Sequence, residues 1–309
     1  MSNRRFIVIQ GPTASGKSGL AEQLAMEMNG EIISADSRQV YKYLDIGTAK
    51  PDKKVRKTIK YHLIDIVEPD EEYNAGLFAK DARKLVNDIF DRGKLPLITG
   101  GTGFYISAFL QGLAKVPPVT KETKAKVKRL FNKSPEKAYK YLQKVDPEAA
   151  SKIETNDQHR QQRALEVYES SGRPLSWFWR EQTELENRDS YLNILLQLPR
   201  KELYERINSR IEKMLSKGLI DEIRELLAMG FKEDDPGMIS VGYREFYPWL
   251  RGEIPYNSAV ESAKQHTRNY AKRQITWYRK QDFDLTIAIN DLNLSLLKEK
   301  IKKFLIEGE

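Results

Sequence analysis

Residues 11–18 read Gly11-Pro12-Thr13-Ala14-Ser15-Gly16-Lys17-Ser18, the GxxxxGK[ST] spacing. Placed between a strand and a helix, it lets consecutive backbone N–H groups and the positive end of the helix cradle a phosphate chain. Lys17 would then reach the terminal phosphates, and the Ser18 hydroxyl a Mg²⁺. Two other places carry chemistry. Ile32-Ile33-Ser34-Ala35 runs into Asp36-Ser37-Arg38-Gln39. Asp36 is a candidate general base there, and a helix cap or a water-mediated contact to Mg²⁺ are the plainer readings. Thr99-Gly100-Gly101-Thr102-Gly103 gathers glycines around Thr102, so that backbone and hydroxyl could come close to a ligand; a glycine turn alone also accounts for the glycines.

These groups need elements to hold them. Short apolar runs predict strands at 6–10, 31–35, 63–67, 95–99, 193–198 and 285–289. Between them, Leu77, Phe78, Ala82, Leu85, Val86, Ile89 and Phe90 fall at the spacing of one apolar helical face. This alternation predicts an α/β fold, a P-loop NTPase-like parallel sheet flanked by helices. The carboxyl ends of its strands would bring Asp36, Thr102 and the phosphate loop to one crevice. From about 115 to 186 strand signals stop, and Val-Pro-Pro, Ser-Pro and Asp-Pro steps punctuate helical sequence. We therefore expect a core of 1–114 and 187–309, interrupted by an all-helical insertion at 115–186. Leu203 to Leu227 continues as helix, broken near Gly218.

Composition removes several classes. Among 309 residues there is no cysteine, which excludes disulfides and thiolate sites, and the three histidines, His62, His159 and His266, do not make a zinc motif. Any metal is expected to be Mg²⁺ held by oxygens. No run approaches the ~18 apolar residues of a membrane span, and the start of the chain lacks the apolar core of a secretory signal. A cytoplasmic protein without a membrane partner is the expectation.

The net charge is +8. Between Lys115 and Lys144 ten Lys or Arg face two acids, Glu122 and Glu136. A second tract, Ser262–Gln281, holds six cations and no acid, with Tyr270, Trp277 and Tyr278 interleaved. The plain reading of either is a solvated helical face. Together they favour nucleic acid, with cations on phosphates and aromatic rings stacked on unpaired bases. One absence matters as well. A Walker-B strand should end in an aspartate that helps hold Mg²⁺, yet Leu95–Thr99 ends in Thr-Gly-Gly, and Ile64-Asp65 is a weak substitute. The loop therefore suits a diphosphate leaving group better than the γ-phosphate of ATP.

Several segments together resemble one family, the tRNA dimethylallyltransferases, or tRNA isopentenyltransferases. They are GPTASGKS at 11–18, DSRQVYKYLDIGTAKP at 36–51, HLID at 62–65, RGKLPLITGGTGFY at 92–105, RALEVYESSGRPLS at 163–176, SVGYRE at 240–245 and AKRQITWYRK at 271–280. The resemblance implies transfer of a dimethylallyl group from dimethylallyl diphosphate, with Mg²⁺, to N6 of the adenosine 3′ of the anticodon. It also implies a helical insertion that grips the anticodon arm, and we expect a monomer. The phosphate loop would hold the donor's diphosphate, Asp36 would accept the amine proton, and Thr102 and Arg210 would sit beside the leaving group. Positions that match tRNA contacts are Asp36, Ser37, Arg38 and Gln39; His159, Arg160, Gln161, Gln162 and Arg163; Ile239, Ser240, Val241, Gly242, Tyr243 and Arg244; and Lys272, Arg273, Gln274, Trp277 and Arg279. The chain departs from the family at Tyr61 and in the polar middle of 159–163. Two rival readings are a small-molecule or nucleoside kinase, against which the missing Walker-B acid counts, and an RNA-binding protein without transfer activity. For Trp177-Phe178-Trp179, core packing and RNA stacking remain open.

Overall fold

The computed structural model describes residues 4–181 and 190–306; the expected junction at 186–187 and the first three residues lie outside them. The chain divides into two compact units, Met1–Leu110 with Asn187–Glu309, and Gln111–Glu186.

The first unit begins β1 (Arg5–Gln10), α1 (Lys17–Glu27), β2 (Gly30–Ser34), α2 (Lys53–Thr58), β3 (Tyr61–His62), α3 (Ala75–Asp91), β4 (Leu95–Gly100) and α4 (Gly103–Gln111). The second holds α5 (Lys121–Lys133), α6 (Pro135–Val145), α7 (Pro147–Lys152), α8 (Gln158–Ser171) and α9 (Leu175–Arg180). The first then resumes with β5 (Ser190–Gln197), α10 (Arg200–Ser216), α11 (Leu219–Ala228), α12 (Tyr247–Leu250), α13 (Tyr256–Tyr278), β6 (Leu285–Ala288) and α14 (Leu294–Ile306).

The six strands form one parallel sheet in the order β3-β2-β4-β1-β5-β6. Alternation along β1 shows why helices cover both faces. Phe6 and Val8 pack with Ile33, Ile98 and the α3 residues Phe78, Ala82 and Ile89. Ile7 and Ile9 turn the other way, onto Leu20 and Leu24 of α1 and Leu297 and Ile301 of α14. A strand buried on both faces reads as an unbroken apolar run, which is how β1 and β4 look in the sequence. Parallel strands all point their carboxyl ends the same way, so the β1, β2 and β4 exits share one edge.

The third strand corrects an expectation: it is Tyr61–His62, not 63–67. Leu63 and Asp65 take positive φ, 60° and 57°, which ends extended pairing. Asp65 is drawn into ion pairs with Lys50 and Arg56, so it is not a substitute Walker-B acid. At the same side of the sheet the buried Glu31 accepts from Arg92 at 2.5 Å and pairs with His62 at 2.7 Å. Burial pushes its carboxyl up, but the hydrogen bonds from Arg92 and His62 outweigh this and hold it down to about 2.

Every described element of the second unit is helical. The Ser-Pro and Asp-Pro steps are helix starts: Ser134 accepts from Lys137 N and Asp146 from Ala149 N, with Pro135 and Pro147 in the first turn. Val127, Phe131, Leu142, Leu165 and Phe178 make its core, with Trp177 and Trp179 packed against it. Within the Trp177–Trp179 cluster Phe178 is core, while Trp177 and Trp179 are half-buried against it: Trp177 meets Phe178 edge-on, and Arg173 lies over Trp177.

Candidate active site

β1 ends at Gln10 and the chain turns through the 11–16 loop, with Ala14 at φ 64° and Gly16 at φ 92°. Gly11 is tight: a Cβ there would lie 2.7 Å from Ser15 Oγ and 2.8 Å from the Leu196 carbonyl oxygen. The loop is held from α13. Thr13 N donates to Gln274 Oε1 at 2.8 Å, while Gln274 Nε2 donates to the Gly101 carbonyl at 2.7 Å. The Tyr278 hydroxyl donates to the Gly11 carbonyl at 3.2 Å. Gln274 thereby ties the phosphate loop to the exit of β4.

Lys17 begins α1, and its Nζ lies 3.3 Å from the Pro12 carbonyl. Burial of the ammonium pushes its pKa down to about 8, against the pull of Asp36; Arg210 adds to the fall. Arg210, on α10, donates to Thr13 Oγ1 at 3.3 Å and has its pKa lowered by burial, with Asp36 opposing. An anion entering here meets two under-compensated cations.

Asp36 follows β2. Its Oδ1 accepts from Arg38 N at 2.8 Å and Gln39 N at 3.4 Å, closing the turn 36–39. So the capping role weighed in the sequence is real, but for a turn, and it uses one oxygen. Thr102 supports the same turn: its Oγ1 accepts from Ser37 N at 3.0 Å, and Tyr270 hydrogen-bonds to it. The approach of β2 and β4 here needs glycine, since a Cβ on Gly100 would stand 2.0 Å from the Ala35 carbonyl oxygen.

Two cavities meet at Asp36. One, of about 340 Å³, is lined by the phosphate loop, Ser34, Gln39, Thr99 and Gly101. The other, of about 270 Å³, has Ile207, Ile211, Met214, Ile239 and Val241 as apolar wall and Arg38, Arg244 and Arg273 around it. Thr13, Asp36, Arg210 and Tyr270 line both. An anionic compartment and an apolar one therefore share a carboxylate at their boundary.

The expected contact residues separate into two sets. Ser37, Arg38, Ile239, Ser240, Val241, Arg244 and Arg273 reach the second cavity. Lys272 of α13 and Arg279 just past its end are exposed. Gln39 instead donates to the Thr48 and Ala49 carbonyls, and Gly242 turns the backbone at φ 99°. Ser240, Tyr243 and Gln274 are buried. Trp277 packs on Gly103 and Phe104, and Tyr278 is buried against the phosphate loop. The aromatic residues of the second tract thus build the site inward; stacking on bases, expected of Tyr278, is excluded by its burial. In the second unit His159 and Arg160 are exposed, Gln162 and Arg163 half-buried. Gln161 is buried, donating to the Glu154 and Thr155 carbonyls, so it serves its own loop. All ten cations between Lys115 and Lys144 are exposed.

Two carboxylates escaped the sequence reading. Glu222 accepts from the backbone N–H of Asp45, Ile46 and Gly47 and from the Tyr243 hydroxyl at 2.6 Å. Glu245 accepts from Gly242 N at 2.7 Å and Arg244 Nε at 3.0 Å, and meets His266 Nδ1 at 2.8 Å. They fix the 45–48 and 239–244 loops that wall the second cavity. Glu222 is one acid among several on α11 and carries no motif; Glu245 closes the SVGYRE segment.

No group of three or more His, Cys, Asp or Glu among the described residues could hold a metal ion. Oxygens suited to Mg²⁺ do line the phosphate cavity: the Ser18 hydroxyl, and Thr99 Oγ1, which is buried and has no hydrogen-bond partner. The donor set fits a hard cation that keeps most of its waters. No helix among the described residues is long and apolar enough to cross a membrane.

Sheet order, phosphate loop and a carboxylate between two cavities define a P-loop α/β transferase with a helical second unit. A family model described as IPP transferase matches residues 39–281. A tRNA dimethylallyltransferase from Thermotoga petrophila is 39% identical over 304 residues, covering 98% of this chain and 99% of that one. One from Thermoanaerobacter pseudethanolicus is 44% identical over 307 residues, 97% of each. Among solved structures, a tRNA delta(2)-isopentenylpyrophosphate transferase from Staphylococcus epidermidis superposes with a TM-score of 0.71 at 37% identity, covering 99% of this chain and all of that one. A eukaryotic dimethylallyltransferase acting on tRNA gives a TM-score of 0.80 at 30% identity, covering 99% and 85%. The chain belongs to the tRNA dimethylallyltransferase family.

Proposed function

We propose that this protein transfers the dimethylallyl group of dimethylallyl diphosphate to the exocyclic N6 of the adenosine immediately 3′ of the anticodon in tRNA, releasing diphosphate. The observation that carries the reading is Asp36 at the boundary of a phosphate-loop cavity and an apolar one. The donor's diphosphate sits on the phosphate loop, where Lys17 and Arg210 face it, and its five-carbon chain points toward Ile207, Ile211 and Met214. The C–O bond to diphosphate breaks as the N6–carbon bond forms, and the amine proton passes to Asp36. Preorganised positive charge on the departing oxygens is the main contribution asked of the protein; Thr102 acts by holding the 36–39 turn. Mg²⁺, when bound through Ser18, supplies further charge to the leaving group. The adenosine has to be unstacked, which costs less in a loop than in a duplex. The second unit, with its exposed lysines, is the part that grips the anticodon arm. Acting on tRNA, the enzyme works in the cytoplasm, as a monomer.

The test is incubation with unmodified tRNA and either dimethylallyl diphosphate or ATP, followed by mass spectrometry of the nucleosides. A five-carbon addition to adenosine with the first donor alone is expected. Phosphate transfer from ATP, or tRNA binding without any modification, would overturn the proposal.

A further inference from the structure

We propose that Thr99 fills the place left by the missing Walker-B acid, its Oγ1 holding a water of the Mg²⁺ carried by Ser18 and the diphosphate; this rests on the donor-site reading above. β4 lies between β1 and β2, and Thr99 pairs with Ile9, one residue before the end of β1, and with Ser34 at the end of β2. That puts it at the strand end beside the phosphate loop, where a Walker-B acid stands.

Its hydroxyl is the second observation. Thr99 is 6% exposed, lines the phosphate cavity, and has no partner for Oγ1. Other polar side chains of the same cavity are engaged: Ser34 donates to Gln39, Tyr61 to Glu22, and Gln274 is used at both ends. A buried hydroxyl without a partner loses its hydration for no return, and native structures seldom keep one without a use. Ser15 Oγ is also unpartnered, but it sits under Gly11 outside the cavity wall.

A neutral group at this position also has a chemical reason. Among the described residues Asp36 is the one carboxylate lining the phosphate cavity. A second would divide the charge of Lys17 and Arg210 with it and oppose the incoming diphosphate. A diphosphate that must depart is served by a hydroxyl, which binds a metal-held water without adding charge.

Titration calorimetry of inorganic diphosphate, with MgCl₂ or with EDTA, on wild type, Thr99→Val and Thr99→Ser tests this. Mg²⁺ is expected to tighten binding to the wild type. Thr99→Val should lose roughly tenfold of that gain, the scale of an outer-sphere metal partner, with affinity in EDTA unchanged. Thr99→Ser should restore it. Because Val removes an unpartnered hydroxyl at nearly constant shape, the unliganded Tm of Thr99→Val should be no lower than that of the wild type. An undiminished Mg²⁺ gain in Thr99→Val, an equal loss with and without Mg²⁺, or a failure of Ser to restore it overturns the proposal. No diphosphate binding by the wild type would instead overturn the donor-site reading, and this inference with it.

Discussion

Asp36→Asn separates the two jobs of one side chain. Asn keeps an Oδ1 that accepts from Arg38 N and Gln39 N, at 2.8 and 3.4 Å in the wild type, so the 36–39 turn and its support from Thr102 should survive. What it loses is the basic oxygen. General-base assistance is worth about 10²–10⁴-fold, so single-turnover prenyl transfer should slow by that factor, about 3–5 kcal/mol of barrier. The affinity for tRNA should move by less than a factor of about three, since every phosphate-facing cation stays in place. Asp36 also raises the Lys17 pKa, so in the variant Lys17 should lose its proton at lower pH. Asp36→Ala should add a loss of stability to the same slow chemistry, about 1 kcal/mol for the missing cap or ~2–4 °C in Tm. The assay is rapid-quench transfer from labelled donor to an anticodon stem-loop, alongside filter binding and thermal melts. An Asp36→Asn enzyme that transfers within a factor of about five of the wild-type rate would refute the base, whatever its binding did.

Three further expectations follow from charge. Diphosphate should restore the proton that burial drives off Lys17, whose pKa is about 8: wild type at pH 8 should take up about half a proton more than Lys17→Arg, measured calorimetrically in buffers of different ionisation heat, and equal uptake would contradict the shift. Neutralising four lysines between Lys121 and Lys144 should flatten the salt dependence of tRNA binding by ~0.7–0.9 in log–log slope for each phosphate no longer neutralised; an unchanged slope returns the tract to solvated surface. Glu31 is held down to about 2 from 4.5 in the unfolded chain. Its stabilisation is therefore complete above pH 4.5 and lost as pH falls through that window toward 2. Glu31→Gln should cost about 3 kcal/mol at pH 7 and progressively less below pH 4.5 in urea melts; a constant difference would show that the ion cluster is not its source.

What was legible in the sequence is what acts locally. The phosphate loop works through its own backbone and the helix it starts, so eight consecutive letters describe it; β1 and β4 show the apolar runs of strands buried on both faces, and α3 the period of its one apolar face. The 63–67 run misled because apolar letters say nothing of φ: the ion pairs of Asp65 with Lys50 and Arg56 reach across the loop and overrule a strand propensity. Thr99, Glu222 and Gln274 were illegible for a related reason. Glu222 and Gln274 owe their roles to groups far along the chain, Gly47 for the one and Thr13 for the other, and a hydroxyl without a partner, as at Thr99, has no sequence signature at all.

The second basic tract could have been read further. Tyr270, Gln274 and Tyr278 stand at i, i+4 and i+8, one face of α13, while Lys272, Arg273, Arg279 and Lys280 occupy the exposed positions between and after them. Taken as a mixture, the segment suggests rings stacked on bases among cations; resolved by helical period, it is two surfaces back to back. The inner one clamps the phosphate loop to Gly101 and places Tyr270 beside Asp36, and the outer one is free to meet phosphates. Gln274→Ala, which leaves every outer cation in place, should for that reason weaken diphosphate binding while tRNA affinity holds, and equal losses in both would show that the two faces do not act separately.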